Sequence, residues 1–310
     1  MAIKIVFFGN ERIATAVSTT TPTLKTLVNS GFDISAVVVN NEKTLSRKQR
    51  ELEVETYALS RNIPVLKPKK LSEITEQLRE FSADIGVLVA YGKIIPQSII
   101  DIFPHGIINI HPSLLPLHRG SIPIESVILN GETKTGVSIM SLASAMDAGP
   151  VYSQTTITLN GTETKQDLAD SLLKIGAEQL SELLPGIVSG ELVPTEQKHD
   201  QATYDQQIQK QDGVIDWNKT AIELEREVQA YAGWPQSRTT LGTTDCVITK
   251  AHALPSNIEH HVPGQIEHHK APLVIKCGDG SLCVDVIKPA GKKEMSAAGF
   301  LNGYKSRLNI

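Results

Sequence analysis

The sequence predicts an α/β chain in which a doubly wound, Rossmann-like parallel sheet is followed by a small β-barrel. Three observations carry this. Through residues 1–189 short apolar runs alternate with longer amphipathic ones, the pattern of strands and crossover helices in a parallel sheet. From residue 212 onward the runs become short, alternating and broken by Pro and Gly, as in a small barrel. The length, 310 residues, suits two domains at about 150 residues each. The expected divisions are 1–189, 190–211 and 212–310, the middle segment being a linker because Gly190, Pro194 and many polar residues interrupt both patterns.

Taken in order, strands are expected over 3–8, 34–39, 65–67, 85–90 and 107–110, with helices over 23–28 and 71–81 between them. Gly9 stands where a nucleotide-binding fold places its glycine loop, but Gly9-Asn10-Glu11-Arg12 continues without a G-x-G-x-x-G, so it reads as a tight turn. Residues Ser18 to Thr21 lengthen the connection after it. Residues 122–131 read as a helix, and 136–142 and 151–158 as strands. A long helix lies within 162–188, with Leu168, Leu172, Ile175 and Leu180 on one face and Thr162, Glu163 and Thr164 offering capping chemistry. Beyond the linker come Gly213-Val-Ile-Asp-Trp217, a helix over 220–232 and strands over 246–250, 274–277 and 281–288.

Composition limits the function. The chain is 40% hydrophobic and 21% charged, ordinary for a soluble globular protein. A formal net charge of -4 speaks against a wholly basic nucleic-acid binder and leaves room for a local basic face. Cys246, Cys277 and Cys283 are odd in number and lack ligand spacing, so they read as reduced thiols of a cytosolic protein. Residues 1–8 read as a buried strand rather than a secretory leader, and no apolar run approaches the ~20 residues of a membrane span, so a cytoplasmic location is expected.

The chemistry concentrates in residues 106–120. The apolar run 107–110 stops at Pro112, which leaves Asn109, His111 and Ser113 at the carboxyl end of a strand and in the loop beyond, where open parallel sheets bind ligands. Alternation sends all three to one side. Singly they are ordinary: a lone His at a strand end is usually capped or solvated, and an Asn beside a loop is more often a turn former. Asp147, between the strands 136–142 and 151–158, likewise sits in the good turn sequence Asp-Ala-Gly-Pro. Together they offer an amide donor for a developing oxyanion, an imidazole that titrates near neutral pH and a carboxylate to fix its tautomer.

The pattern Asn109-x-His111-x-Ser113-Leu114-Leu115-Pro116-x-x-Arg119-Gly120, then Gly136-Val-Ser-Ile-Met140 and Met146-Asp147-Ala148-Gly149, resembles the signature of the 10-formyltetrahydrofolate-dependent formyltransferases. The resemblance implies that Asn109, His111 and Asp147 form a catalytic triad. It also implies that 10-formyltetrahydrofolate is the formyl donor, bound in a pocket lined by Ser113, Leu114, Leu115 and Pro116 with Tyr91 and Gly92 beside the pterin, and that no metal is required. Arg119 then either holds an anionic group or pairs structurally. The chain departs from the family where Gly-Thr-Pro is usual, having Gly9-Asn10-Glu11 instead.

The tail narrows the resemblance. Asp216-Trp217, Trp234-Pro235 and the ending from Ile287 to Ser296 resemble the OB-like C-terminal domain of methionyl-tRNA formyltransferases in particular. That implies initiator methionyl-tRNA as acceptor and a monomeric enzyme that touches no membrane. Arg47, Lys48 and Arg50 then match the family's basic insertion, although without its Gly and Pro residues, and Lys292 and Lys293 supply a basic edge for phosphates. Two rival readings are a formyltransferase or hydrolase acting on a small molecule, and an RNA-binding module that has kept the fold. His252, His260, His261, His268 and His269 cluster in the same region without a zinc spacing.

Overall fold

The computed structural model describes residues 2–40, 52–255, 262–267 and 272–308. The chain divides into two compact units, Met1–Ile124 with Thr133–Gln206, and Glu125–Glu132 with Gln207–Ile310.

The first unit is built on a seven-stranded sheet. Its first half runs β1 (Lys4–Gly9), α1 (Pro22–Asn29), β2 (Asp33–Val38), α2 (Glu53–Ser60), β3 (Val65–Leu66), α3 (Thr75–Glu80), β4 (Ile85–Val89), α4 (Gln97–Ile100) and β5 (Ile107–His111). After α5 (Pro123–Asn130), β6 (Lys134–Ser141) and β7 (Val151–Thr158) complete the sheet, and α6 (Lys165–Ser189) covers it. The order β3-β2-β1-β4-β5-β6-β7 places β1 between β2 and β4, so the chain reverses direction across the sheet there, as in doubly wound folds. Strands β4 and β5 are buried along their whole length, which is why they read as continuous apolar runs.

Two expectations are modified. The sheet is mixed: β5 through β1 to β3 is parallel, but β6 lies antiparallel to both β5 and β7. Strands β6 and β7 are joined by a short loop rather than a crossover helix, and a short return makes an antiparallel neighbour. The helix expected over 71–81 splits into a 3-10 turn, Leu71–Ile74, and α3. The long helix α6 starts at a full capping box, Thr164 and Asp167 each accepting from the other's backbone N–H, and buries Leu168, Leu172 and Leu180.

The atypical first turn has a structural explanation. Gly9 sits at φ +127°, and a Cβ there would lie 1.9 Å from the Val89 carbonyl oxygen, so β1 and β4 can approach only at a glycine. The Glu11 side chain, fully buried, accepts from the backbone N–H groups of Thr23 at 2.8 Å and Leu24 at 2.9 Å, capping α1 from twelve residues upstream. The added Ser/Thr stretch is tied to the start of α6: Ser18 exchanges hydrogen bonds with the Gln166 amide and Lys165 donates to Thr15 Oγ1 at 3.0 Å.

Burial pushes the Glu11 carboxyl up from 4.5 to about 7, outweighing the two N–H donors. The folded chain therefore holds a proton that the unfolded chain releases across that window. This contribution to stability is complete below about pH 4.5 and is lost as the pH rises through 7, roughly 3 kcal/mol in all. In denaturant titrations, the difference in stability between wild type and Glu11→Gln should shift in favour of the variant from pH 5 to pH 8. A pH-independent difference would show that Glu11 is ionised in both states.

The second unit holds α7 (Ala221–Ala230), β8 (Ser237–Leu241), β9 (Thr244–Leu254), β10 (Leu273–Lys276), β11 (Ser281–Pro289), β12 (Met295–Ser296) and α8 (Ala297–Tyr304). Its sheet is antiparallel throughout, ordered β10-β11-β9-β8 with β12 on β11, an antiparallel half-barrel around Leu224, Ile248, Leu282, Ile287 and Phe300. Strand β8 and helix α8 were not expected: β8 is Ser/Arg/Thr-rich, and α8 holds two glycines and only eight residues. Cys246, Cys277 and Cys283 are free and buried, and burial pushes the Cys246 and Cys277 thiols up to about 11. Among the described residues no helix is long and apolar enough to cross a membrane.

The segment 190–211, expected as a linker, is fastened over its first part. Thr195 pairs with Val151 in both directions, and Thr203 to Asp205 bond to the backbone of Pro116 and Arg119 within the first unit. Most of its polar side chains face solvent, but Gln197 is buried and makes contacts within the unit.

Candidate active site

Strand β5 carries Asn109 and His111 to the end of the sheet, paired with Leu88 of β4 and with Met140 and Ser138 of β6. Both side chains are almost fully buried, at 6% and 4% exposure. Among the described residues the Asn109 amide makes no hydrogen bond, and its atoms are not among the enclosed unpartnered ones, so the amide is reachable from outside the protein. Its donors are free for something that arrives.

The His111 ring is fixed at one nitrogen. Nε2 lies 2.9 Å from the His118 carbonyl oxygen, which can only accept, so Nε2 carries a proton and donates it. The other nitrogen, Nδ1, lies 3.8 Å from Asp147 Oδ1. That separation is too long for a hydrogen bond and short enough for strong charge stabilisation in a buried setting. Proton exchange at this imidazole is thereby confined to Nδ1, the nitrogen that faces the carboxylate.

Asp147 belongs to the loop between β6 and β7. It takes the left-handed conformation, φ 48°, which Asp and Asn tolerate better than other side chains. Its Oδ2 accepts from the Gly120 backbone N–H at 2.8 Å. Gly149, two residues on, has its α-carbon so close to Ser141 that a Cβ would meet the Ser141 carbonyl oxygen at 2.0 Å. The Asp-Ala-Gly-Pro turn is thus both turn chemistry and the support of a site carboxylate.

The loop after β5 is pinned by a bond of its own and by side chains of β6 and β7. Ser113 Oγ donates to the Leu117 carbonyl at 2.7 Å. Ser138 Oγ donates to the Ser113 carbonyl at 2.6 Å and accepts from the Leu115 N–H at 3.1 Å, while the Gln154 amide donates to the Leu115 carbonyl at 2.8 Å. The Leu115–Pro116 peptide is cis. Ser113 and Leu115 are buried, and Leu114 and Pro116 are half-buried. His118 is held by Asp205, Nδ1 to Oδ1 3.0 Å, and its N–H donates to Thr203 Oγ1 at 2.8 Å.

Other expected residues fare differently. The Tyr91 ring is 3% exposed and packs edge-on against Phe8 in the apolar core, so it offers no face to a flat ligand; burial also pushes its hydroxyl up. Gly92 is exposed at φ +77°, with open space at its α-carbon. Arg119 is 2% exposed and its fork is taken by Gln197, His199 and Tyr204, so of the two expectations for it the structural pairing holds. Gln197, His199 and Tyr204 were not foreseen: they lie in the stretch read as a linker, where nothing local marks a polar residue as buried. A buried arginine does demand acceptors, but the sequence does not say which.

On the second unit Lys292 and Lys293 are exposed in the turn between β11 and β12, with Lys288 exposed near the end of β11. Arg47, Lys48 and Arg50 lie outside the described residues, as do His260, His261, His268 and His269. His252 Nδ1 lies within hydrogen-bonding distance of Asp285 Oδ2, 3.1 Å, beside Cys283, whose thiol is pushed up by burial and then by Asp285. That keeps the sulfur protonated and a weak ligand.

The Formyl transferase family profile matches residues 3–184, and that of the Formyl transferase, C-terminal domain matches residues 207–305. The chain is 34% identical over 314 residues to the methionyl-tRNA formyltransferase of Trichlorobacter lovleyi, covering 98% of this chain and 95% of that one. It is 37% identical over 317 residues to that of Chloroflexus aggregans, covering 97% of each. Among solved structures, HypX from Aquifex aeolicus in complex with tetrahydrofolic acid superposes with a TM-score of 0.63 at 16% identity, covering 98% of this chain; this chain spans about half of that one, 48%. The structural likeness speaks for the fold, and the two profiles and the near full-length identities speak for kinship. The chain belongs to the methionyl-tRNA formyltransferase family.

Proposed function

We propose that the protein transfers the formyl group of 10-formyltetrahydrofolate to the free α-amino group of initiator methionyl-tRNA, giving N-formylmethionyl-tRNA for translation initiation. The observation that carries this is the convergence of an unpartnered Asn109 amide, a His111 ring with one committed nitrogen and the Asp147 carboxylate at one strand end. Near full-length relatives that are methionyl-tRNA formyltransferases support the acceptor.

The chemistry follows from what these groups can do. An α-amino group with a pKa near 8 is available as a neutral nucleophile at cellular pH. Its nitrogen adds to the formyl carbon and the carbonyl electrons move to oxygen, giving a tetrahedral oxyanion. The Asn109 amide and a protonated His111 Nδ1 are the donors for that oxygen, and Asp147 stabilises the imidazolium. Collapse breaks the bond to the folate nitrogen. One proton must leave the amine and one must reach the departing nitrogen; with Nδ1 already protonated and donating to the oxyanion, the Asp147 carboxylate takes the amine's proton through water and returns it to the folate nitrogen as that bond breaks. Ser113, Leu114, Leu115, Pro116 and the Gly92 turn form the folate-binding walls, and a contribution from position 91 comes through its backbone.

The basic residues Arg47, Lys48, Arg50, Lys292 and Lys293 contact the tRNA phosphates in this reading, which calls for a binding constant that weakens with salt. The divisions 1–189, 190–211 and 212–310 remain our working domain scheme, with a monomeric enzyme acting in the cytoplasm. Purified protein mixed with 10-formyltetrahydrofolate and methionyl-tRNA should yield formylmethionine on mild base hydrolysis, with none from uncharged tRNA or free methionine. Transfer to a small amine or sugar nucleotide in place of methionyl-tRNA would contradict the assignment.

A further inference from the structure

The Asp147 loop is held by a polar strut that the proposed chemistry does not itself use. Gln197, 8% exposed, points its amide nitrogen at two carbonyl oxygens of the loop, Asp147 at 2.8 Å and Gly149 at 2.7 Å. Its amide oxygen accepts both Nε and Nη2 of Arg119, at 3.2 and 2.7 Å. Arg119 in turn donates to Tyr204 Oη at 2.8 Å and to His199 Nδ1 at 2.9 Å. An arginine can only donate, so His199 accepts at Nδ1 and carries its proton on Nε2. Arg119 and the neighbouring His118 belong to the loop that also fixes the other half of the pair, since the His118 carbonyl holds His111 and the Gly120 N–H holds Asp147. One buried guanidinium and one buried amide therefore link the backbone carrying the carboxylate to the backbone that holds the imidazole.

We propose that Gln197 is a positioning residue for the formyl transfer, setting with Arg119 the distance and angle between Asp147 and His111; the proposal rests on the reaction assigned above. The side-chain chemistry makes the role specific. Only a primary amide both accepts a guanidinium fork on its oxygen and donates to two carbonyls from its nitrogen. Glutamate at 197 keeps the size and the Arg119 contact but turns a donor into an acceptor against the carbonyls of Asp147 and Gly149. The loop must then move, and displacements of about 1 Å at such a site cost on the order of a hundredfold in rate.

The test is a double-mutant cycle between Gln197→Glu and Asp147→Asn, with Gln197→Ala as a second variant in case the glutamate prevents folding. Gln197→Glu should lower kcat by roughly 10- to 100-fold while leaving both KM values within about twofold and the thermal midpoint little changed. In the Asp147→Asn background the same change should cost almost nothing further, because both act through one carboxylate. Independently of activity, hydrogen exchange at the Gly120 amide, which donates to Asp147 Oδ2, should speed up several-fold in Gln197→Glu. A kcat within threefold of wild type, a full multiplicative loss on top of Asp147→Asn, or an unchanged Gly120 exchange rate would overturn the positioning role. A wild-type protein that transfers no formyl group would instead remove the assigned reaction, while the Gly120 exchange rate would still report on the strut.

Discussion

Replacing Asp147 by Asn is expected to lower the turnover of methionyl-tRNA formylation by ~10²- to 10⁴-fold, the range of a lost group in general acid–base catalysis. Asparagine keeps the size of the side chain, the acceptor for the Gly120 N–H and the tolerance of φ 48°. Folding should therefore be preserved, and what disappears is the negative charge 3.8 Å from His111 Nδ1. Without it the imidazolium has no counter-charge in a buried site. The affinity for tRNA, which the proposed reading assigns to phosphate contacts elsewhere on the chain, should change little. Single-turnover rates and a tRNA filter-binding titration check the two halves of the statement, and equal losses in both would argue that Asp147 is a structural residue.

The second large effect is expected at Asn109. Asn109→Ala should cost about 3 to 4 kcal/mol of transition-state stabilisation, a fall of ~10²- to 10³-fold in kcat. The reasoning is that its amide has no partner among the described residues, so truncation leaves no buried group newly unsatisfied and should not lower stability by the usual route. A donor that matters only when charge develops on the formyl oxygen affects kcat and kcat/KM alike. Kinetics at saturating donor, together with a thermal melt, test this. A stable variant with unaltered kcat would remove Asn109 from the oxyanion site.

The residues of the site were legible in the sequence where they rest on regular structure. Asn109 and His111 follow from a mostly apolar, fully buried strand that stops before a proline, and the strand positions of β4 and β5 follow from such runs. Asp147 was ambiguous on its own residues because turn-forming chemistry and site chemistry use the same short polar side chain. The left-handed backbone at 147 accounts for the turn, and the carboxylate 3.8 Å from His111 Nδ1 is the feature that the proposed chemistry uses. What did not show was long-range: Gln197 is one polar residue in a polar stretch, and its burial depends on Arg119, 78 positions away. Tyr91 shows the opposite limit. A tyrosine just after a strand reads equally as a ligand platform or as core, and only the packing against Phe8 decides. The antiparallel run at the β6–β7 edge was hidden because β6 is as buried as the parallel strands beside it, and the half-exposed alternation of β7 does not by itself state a direction. Glu11 was hidden too, since nothing around it in sequence announces the helix that it caps.

The account's central claim is that Asn109, His111 and Asp147 converge on the formyl group being transferred. A structure of the protein with a folate that carries a formyl group it cannot give up tests this directly. The account predicts the formyl oxygen about 2.7 to 3.1 Å from the Asn109 amide nitrogen, with His111 Nδ1 in hydrogen-bonding reach and the folate along Ser113 to Pro116. A donor seated with its formyl oxygen far from both side chains, and no loop closing the gap, would contradict it.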